Sequence, residues 1–332
     1  MNATNATNGL AIFYEHQEWF RPLFAELEKR GIEYAKIDAA NHFYDPNDEP
    51  KFRVLFNRTS ASAYLRGHGN SIFYTRGYLA HLEQRKVRVI NGYDAFQIEI
   101  SKALQSALFE SLGIKYPKTR IINSPNQAID AAKNLKFPII IKPNIGGRGA
   151  GIVKFNDIVE LTQAVENKQV DLGIDETALV QEFATKRGGF ITRVETLGGK
   201  FLYAIKIFPQ EENFNLCPAE ICQIEDNKAV ASGEMCIADA PKSGLRIEKC
   251  EPSPEIIATV ERIVAAAKID VGGVEFLIDD ATGDALFYDI NALSNFVADA
   301  VNLIGFDPHE KLVDFLQQEI EKVSSFSLQV SN

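Results

Sequence analysis

Short apolar runs alternate with amphipathic stretches over the first ninety residues. The pattern predicts strands over 9–14, 32–37, 52–56 and 87–90, and helices over 17–30 and 71–85. In the first helix the apolar side chains fall on one stripe, and Gly31 ends it. Strands that alternate with helices indicate a parallel sheet covered by helices. We therefore predict an N-terminal α/β domain over residues 1–93.

The pattern changes over residues 94–180, where helices outnumber short strands. It predicts one helix over 94–112, and another that runs to about residue 134 from a capping box formed by Ser124 and Gln127. A third helix over 157–167 is expected to be capped by Asn156. Strands are predicted over 137–142, 151–155 and 177–183. These elements form a predicted central subdomain with a small antiparallel sheet.

Hairpins dominate residues 181–332. Runs over 190–197 and 200–208 flank a Gly198-Gly199 turn, and a second hairpin joins 271–278 to 285–290. Helices are predicted over 253–268 and 308–323, and residues 209–250 are irregular. This part reads as a C-terminal α+β subdomain.

Charge and hydropathy narrow the function classes. The 332 residues carry 35 basic and 45 acidic side chains, a formal charge of −10. Nucleic-acid-binding proteins are usually basic, so no nucleic-acid partner is expected. Apolar runs stay shorter than a membrane span, and the first eight residues lack the pattern of a signal peptide, which predicts a cytoplasmic protein without a membrane partner. The spacing of Cys217, Cys222, Cys236 and Cys250 does not favour zinc.

The strongest local motif is residues 142–151, which read KPNIGGRGAG between two predicted strands. Backbone N–H groups in such a loop can approach phosphates without obstruction by Cβ atoms, and Lys142 can pair with phosphate oxygens. The Gly-Lys-Ser/Thr of a P-loop is absent, and the spacing differs from that of a dinucleotide fingerprint. The alternative is a glycine-rich turn that binds no ligand.

Two acidic residues interrupt the apolar strands of the last hairpin. With a turn centred on Thr282, Glu275 and Asp289 face each other, and Asn291 shares their face. Oxygen ligands without Cys or His suit Mg²⁺ that is completed by phosphates and water. The alternative is a solvent-facing acidic pair on an edge hairpin.

The strand over 179–183 ends in Gln181, Glu182 and Phe183. Its backbone and carboxylate could receive an adenine and a ribose. An ordinary strand end remains the alternative.

These motifs, in this order, resemble an ATP-grasp enzyme. The order is Lys102, the lysine and glycines of 142–151, Gln181-Glu182-Phe183, Arg193, Glu275, and Asp289-x-Asn291. The chain most resembles the branch of ribosomal-protein glutamate ligases, lysine-biosynthesis carrier-protein ligases and amino-acid ligases, well over 94–320 and more loosely before. The resemblance implies an α/β, three-lobed fold, α+β in its ATP-grasp part, with ATP between the subdomains 94–180 and 181–332.

The resemblance also implies a role for each matching position. ATP-binding residues are Lys102, Lys142, Gly146, Gly147, Gly149, Gly151, Gln181, Glu182 and Phe183. Glu275, Asp289 and Asn291 match the ligands of two Mg²⁺ ions, for which Mn²⁺ is an alternative. Arg193 matches the arginine that stabilises the acyl phosphate.

Some positions depart from that pattern. Ile191 stands where an acidic residue is usual, and the metal ligands Glu275 and Asp289 exchange their usual Asp and Glu. The segment 209–250, which lines the acceptor site in this branch, fits poorly. The identity of the substrate is what these departures put in doubt.

The expected activity is that of an acid–amino-acid ligase. It joins a small-molecule or peptide carboxylate to an amine through an acyl phosphate, and releases ADP and phosphate. A phosphotransferase and a non-catalytic ATP-binding protein are the alternatives. Homo-oligomerisation is expected by analogy alone.

Overall fold

The computed structural model describes residues 9–147, 149–209 and 246–330, and the side chains up to residue 325. Most of the predicted irregular segment 209–250, with Cys217, Cys222 and Cys236, lies outside these residues. Within them, no helix has the length and apolar character needed to cross a membrane.

Strands and helices follow each other in three groups along the chain. The strands are β1 (Leu10–Tyr14), β2 (Tyr34–Asp38), β3 (Val54–Arg58), β4 (Arg88–Ile90), β5 (Thr119–Ile122), β6 (Ile139–Pro143), β7 (Val153–Phe155), β8 (Ala178–Glu182), β9 (Ile191–Leu197), β10 (Lys200–Phe208), β11 (Arg246–Cys250), β12 (Val271–Ile278) and β13 (Ala285–Asn291). The helices are α1 (Arg21–Lys29), α2 (Gly69–Gln84), α3 (Tyr93–Glu99), α4 (Lys102–Ser111), α5 (Ala128–Ala132), α6 (Ile158–Glu166), α7 (Pro254–Ala266), α8 (Ala300–Ile304) and α9 (Pro308–Val330).

Each group builds its own sheet. The first sheet has the order β2-β1-β3-β4 and is parallel, as the alternation of strands and helices predicts. The second has the order β5-β8-β6-β7, and the third the order β11-β10-β9-β12-β13; both are antiparallel. The predicted boundary near residue 180 falls inside β8.

Several predicted element boundaries are wrong for local reasons. The single helix predicted over 94–112 is two, because the Ser101 hydroxyl accepts a hydrogen bond from Leu104 N and starts α4 anew. The capping box is absent: the Ser124 side chain makes no cap bond, and the Gln127 amide oxygen accepts from Asn123 N instead. The α6 helix is capped by the side chain of Asp157, one residue after the predicted cap. Strand β5 is not predicted, and strand β11 forms at the end of the segment 209–250 that is predicted to be irregular.

A buried asparagine joins the first sheet to the third. Asn91 follows β4 with a φ of 52°, a conformation that asparagine tolerates better than most residues. Its Nδ2 donates to Val271 O at 2.7 Å and to Ala292 O at 2.5 Å, and its Oδ1 accepts from Asp270 N and Val271 N. One side chain therefore satisfies backbone groups at the start of β12 and just after the end of β13.

Replacing Asn91 with alanine should destabilise the fold. The change leaves buried backbone donors and acceptors without partners and strains the positive φ, so we expect unfolding free energy to fall by about 3 kcal/mol. Urea denaturation measures the loss, and the exposed Asn167→Ala is the control. A loss for Asn91→Ala no greater than that of the control would contradict the tethering role.

Candidate active site

One cavity collects most of the residues that the sequence analysis selected. Its lining includes Lys102, Lys142, Gly146, Gly147, Gly149, Arg193, Glu275, Asp289 and Asn291. The first sheet's domain closes one side with Ser60 and Ser62, which follow β3. All three sheets therefore contribute to a single site.

The predicted carboxylate pair is present. Glu275 on β12 pairs directly with Asp289 on β13, as the hairpin register predicts. Glu275 is 3 % exposed, and burial raises the pKa of its carboxyl. Facing carboxylates repel each other in a sheet unless positive charge lies beside them.

A different cation contacts each carboxylate. Lys102 Nζ, at the start of α4, lies 2.6 Å from Asp289 Oδ1. Arg193 Nη1, on β9, lies 3.1 Å from Glu275 Oε1. Burial lowers the pKa of Lys102, but the charge and hydrogen bond of Asp289 outweigh it, and the net shift is upward. The acidic pair is therefore held by two ion pairs.

Arg193 is fixed by a buried network. Its Nε donates to Glu195 Oε1 at 2.6 Å, and its Nη2 donates to Ser294 Oγ at 3.1 Å. Ser294 Oγ in turn donates to Glu195 Oε2 at 2.5 Å, and Tyr288 OH donates to Glu275 Oε2 at 2.9 Å. The guanidinium therefore has a defined orientation at the cavity wall.

Lys142 differs from Lys102 because its ammonium makes no ion pair within the described part of the chain. Its side chain is buried at the end of β6, and its ammonium makes no hydrogen bond or ion pair with the part of the chain that the structure describes. Burial, together with the positive charge of Lys102, lowers the pKa of Lys142 to about 7. The site thus holds an ammonium that lacks a counter-ion.

Close contacts explain two of the loop glycines. A Cβ atom on Gly147 would lie 2.9 Å from Ser62 Cβ, so the loop rests against the first domain at this point. Gly151 has a φ of 73°, and a Cβ there would lie 2.8 Å from Pro143 Cγ. Gly151 therefore shapes the loop without lining the cavity.

The acidic end of the cavity fits a magnesium ion. Asn291 shares the site with both carboxylates, and its buried Nδ2 has no hydrogen-bond partner among the described residues. Rotation of that amide exchanges its nitrogen for an oxygen ligand. Two carboxylates and an amide leave positions for phosphate oxygens and water, which Mg²⁺ usually keeps. The described ranges contain no group of three or more His, Cys, Asp or Glu that could hold a metal ion by itself.

Besides Gly151, three of the predicted ATP-binding residues lie outside the cavity lining. The Gln181 Nε2 donates to Thr119 Oγ1 at 2.7 Å, and Glu182 Oε1 accepts from Lys136 N at 2.8 Å. The Phe183 ring has Lys154 Nζ 4.5 Å from its centroid. Their contact with adenine stays a prediction.

Sequence reasoning missed the groups that position the site. Glu195, Ser294, Glu99 and Asn144 act through tertiary contacts that spacing does not reveal. Glu195 did leave a signal, since it is an acidic residue within the apolar strand β9. Ile191, at the position where an acid is usual, is a core residue.

Comparison with known proteins identifies the fold. Residues 100–222 match the family described as the RimK-like ATP-grasp domain. A probable α-L-glutamate ligase of Teredinibacter turnerae is 26% identical over 287 residues, which cover 79% of this chain and 91% of that protein.

Solved structures show the same architecture. The ATP-grasp ligase PsnB, in complex with a minimal precursor, Mg and ADP, superposes with a TM-score of 0.62 at 16% identity, over 96% of this chain and 99% of that one. D-alanine–D-alanine ligase of Bacillus anthracis, in complex with ATP, gives a TM-score of 0.62 at 16% identity, over 97% and 99%. The chain has the ATP-grasp fold, and the resemblance drawn from its motifs is confirmed.

Binding of ADP should be linked to uptake of a proton by Lys142. Phosphate favours the charged ammonium, so the Lys142 pKa rises on binding from about 7. Affinity should therefore fall about tenfold per pH unit above that value, because less of the free protein carries the proton. Calorimetry at pH 8 in two buffers of different ionisation enthalpy measures the uptake. Equal uptake in Lys142→Met would show that another group takes the proton.

Removing the Lys102 ammonium should expose the acidic pair to metal. In Lys102→Met we expect Mn²⁺ to bind without nucleotide about tenfold more tightly than in the unaltered protein, because no ion pair with Asp289 has to break. Electron paramagnetic resonance of free Mn²⁺ measures the affinity. Lys115→Met removes an exposed ion pair at the turn of the same hairpin and is the control. Unchanged Mn²⁺ affinity in Lys102→Met would contradict the competition.

Proposed function

We propose that this chain, which has the ATP-grasp fold, activates a carboxylate with ATP in its cavity and joins it to the amine of an amino acid or peptide. The observation that carries the proposal is the joint placement of two lysines, a glycine-rich loop and an oxygen-ligand set in one cavity. A site with that composition suits the phosphates and Mg²⁺ of a nucleotide.

The first step is the attack of a carboxylate oxygen on the γ-phosphorus of ATP, which breaks the bond to ADP and forms an acyl phosphate. Protein groups contribute mainly positioning and charge neutralisation in such transfers. Lys142 is available for phosphate oxygens because its ammonium bonds to none of the described residues. Bound Mg²⁺ would be held by Glu275, Asp289 and Asn291, and would neutralise phosphate charge. We propose two ions.

In the second step the amine attacks the acyl carbon, the C–O bond to phosphate breaks, and an amide forms. Arg193 has five N–H donors, of which three bond to Glu195, Glu275 and Ser294. The remaining two can stabilise oxygen atoms that become negative in either step. Gly147 lies so close to Ser62 that the loop can cover this side of the cavity, which would help to protect an acyl phosphate from water.

Relatives suggest the substrate class. The similar curated proteins are named α-L-glutamate ligases, one of which is named for tetrahydromethanopterin. We propose that the amine is an α-amino acid, with glutamate tested first. We also propose that Gln181, Glu182 and Phe183 receive adenine when the two subdomains close on ATP.

The proposal predicts an acyl phosphate that hydroxylamine intercepts. Incubation with ATP, Mg²⁺ and the true carboxylate should give ADP, phosphate and a hydroxamate, and pairwise screening of carboxylates with amines by phosphate release finds the substrates.

Asp289→Asn should lower turnover about a thousandfold, since it removes a charge that faces metal and phosphates. Asp280→Asn, an exposed change on the same hairpin, is the control.

The products separate the ligase from its alternative. A stable phosphorylated alcohol without hydroxamate would identify a phosphotransferase. Full turnover in Asp289→Asn would refute the metal-ligand assignment.

A further inference from the structure

Asn144 lies between the two lysines of the site without lining the cavity. It follows Lys142 and Pro143 at the end of β6, and it is 7 % exposed. A buried amide at the entrance of a glycine-rich loop needs partners for its donors and acceptor. Two other segments of the chain supply two donors for its oxygen and one acceptor for its nitrogen.

The first segment is the start of α4. Asn144 Oδ1 accepts from Ala103 N at 2.8 Å and from Ser101 Oγ at 3.1 Å, and Asn144 O accepts from Lys102 N at 3.3 Å. The N–H groups of a first helical turn have no partner within their own helix. Asn144 therefore caps α4 from a distant strand, at the turn that carries Lys102.

The second segment is the loop before β8. Asn144 Nδ2 donates to Asp175 Oδ2 at 2.7 Å, and Asn144 N donates to Thr177 O at 2.8 Å. Asp175 accepts only, so it fixes which end of the amide faces Ala103 N. The other oxygen of Asp175 is buried without a hydrogen-bond partner among the described residues. Asn144 therefore supplies the hydrogen-bond donor of this pair and Asp175 the acceptor. If Asn144 lost its donor, Asp175 would keep no side-chain partner among the described residues.

The hydrogen bonds between Asn144 and the start of α4 hold together two segments that each carry a positive charge. Lys102 and Lys142 line the same cavity and repel each other, and of the two only Lys102 has an ion-pair partner within the described ranges. Side-chain packing alone does not oppose such repulsion, whereas backbone hydrogen bonds between their two segments do. A phosphate chain that binds both lysines depends on the spacing that these bonds set.

We propose that Asn144 is a positioning residue that, held by Asp175, sets the spacing of Lys102 and Lys142 for the β- and γ-phosphates of the nucleotide. The proposal rests on the proposed nucleotide role of the two lysines. It assigns Asn144 no contact with substrate. Its effect should therefore fall on the phosphate chain and spare the nucleoside.

The test exchanges the members of the Asn144–Asp175 pair. Asn144→Asp sets two carboxylates against each other, and should weaken ADP binding at least about tenfold with AMP affinity unchanged. Asp175→Asn keeps an acceptor for the amide and should bind ADP nearly normally. The double variant N144D/D175N restores one donor and one acceptor in reversed order, and should return ADP affinity to within about threefold of the unaltered protein. Calorimetry measures both nucleotides, and the exposed Asn126→Asp is the control.

The outcomes separate this inference from the proposed function. Equal loss of AMP and ADP affinity in Asn144→Asp, or no recovery in the double variant despite a thermal unfolding curve like that of the unaltered protein, overturns the positioning role alone. Unaltered protein that binds neither nucleotide would overturn the proposed function, and this inference with it. Selective loss for ADP with recovery in the double variant supports the inference, whether or not hydroxamate is found.

Discussion

The structure depends on the free-energy cost of placing two carboxylates opposite each other. Glu275 and Asp289 face across the β12–β13 hairpin in a largely buried position, and such a pair is unfavourable without positive charge. The chain supplies that charge from two separate elements, with Lys102 on α4 and Arg193 on β9. The hairpin therefore fixes where both elements must lie, and the cavity forms where they meet.

The supporting contacts follow from that requirement. Arg193 is oriented by Glu195 and Ser294, and the side chain of Asn144 caps the first turn of α4. Asn91, after β4 of the first domain, bonds to the start of β12 and to the residue after β13. The first domain is thereby held where Ser62 meets the glycine-rich loop. Buried polar side chains thus link the three sheets, and the first and third sheets also share one apolar cluster.

The sequence predicts those parts of the site that local rules govern. The Glu275–Asp289 register follows from strand alternation and a symmetric turn, and the loop from its glycines, so both are predictable. Asn144 is not, because its partners lie about thirty to forty residues away and nothing in spacing identifies them. The break between α3 and α4 is not predicted either: Ser101 caps Leu104 N locally, and its hydroxyl also donates to Asn144 on a distant strand.

The two lysines divide the electrostatic task of the site. Lys102 pairs with Asp289, and Arg193 pairs with Glu275 and Glu195, before any nucleotide is present. Lys142 adds a charge that makes no ion pair among the described residues, and burial lowers its pKa to about 7. A phosphate chain gives Lys142 its counter-ion, and it also gives Lys102 an alternative to Asp289. Nucleotide phosphates and metal therefore favour each other's binding through the same ammonium, by the reciprocity that linkage requires.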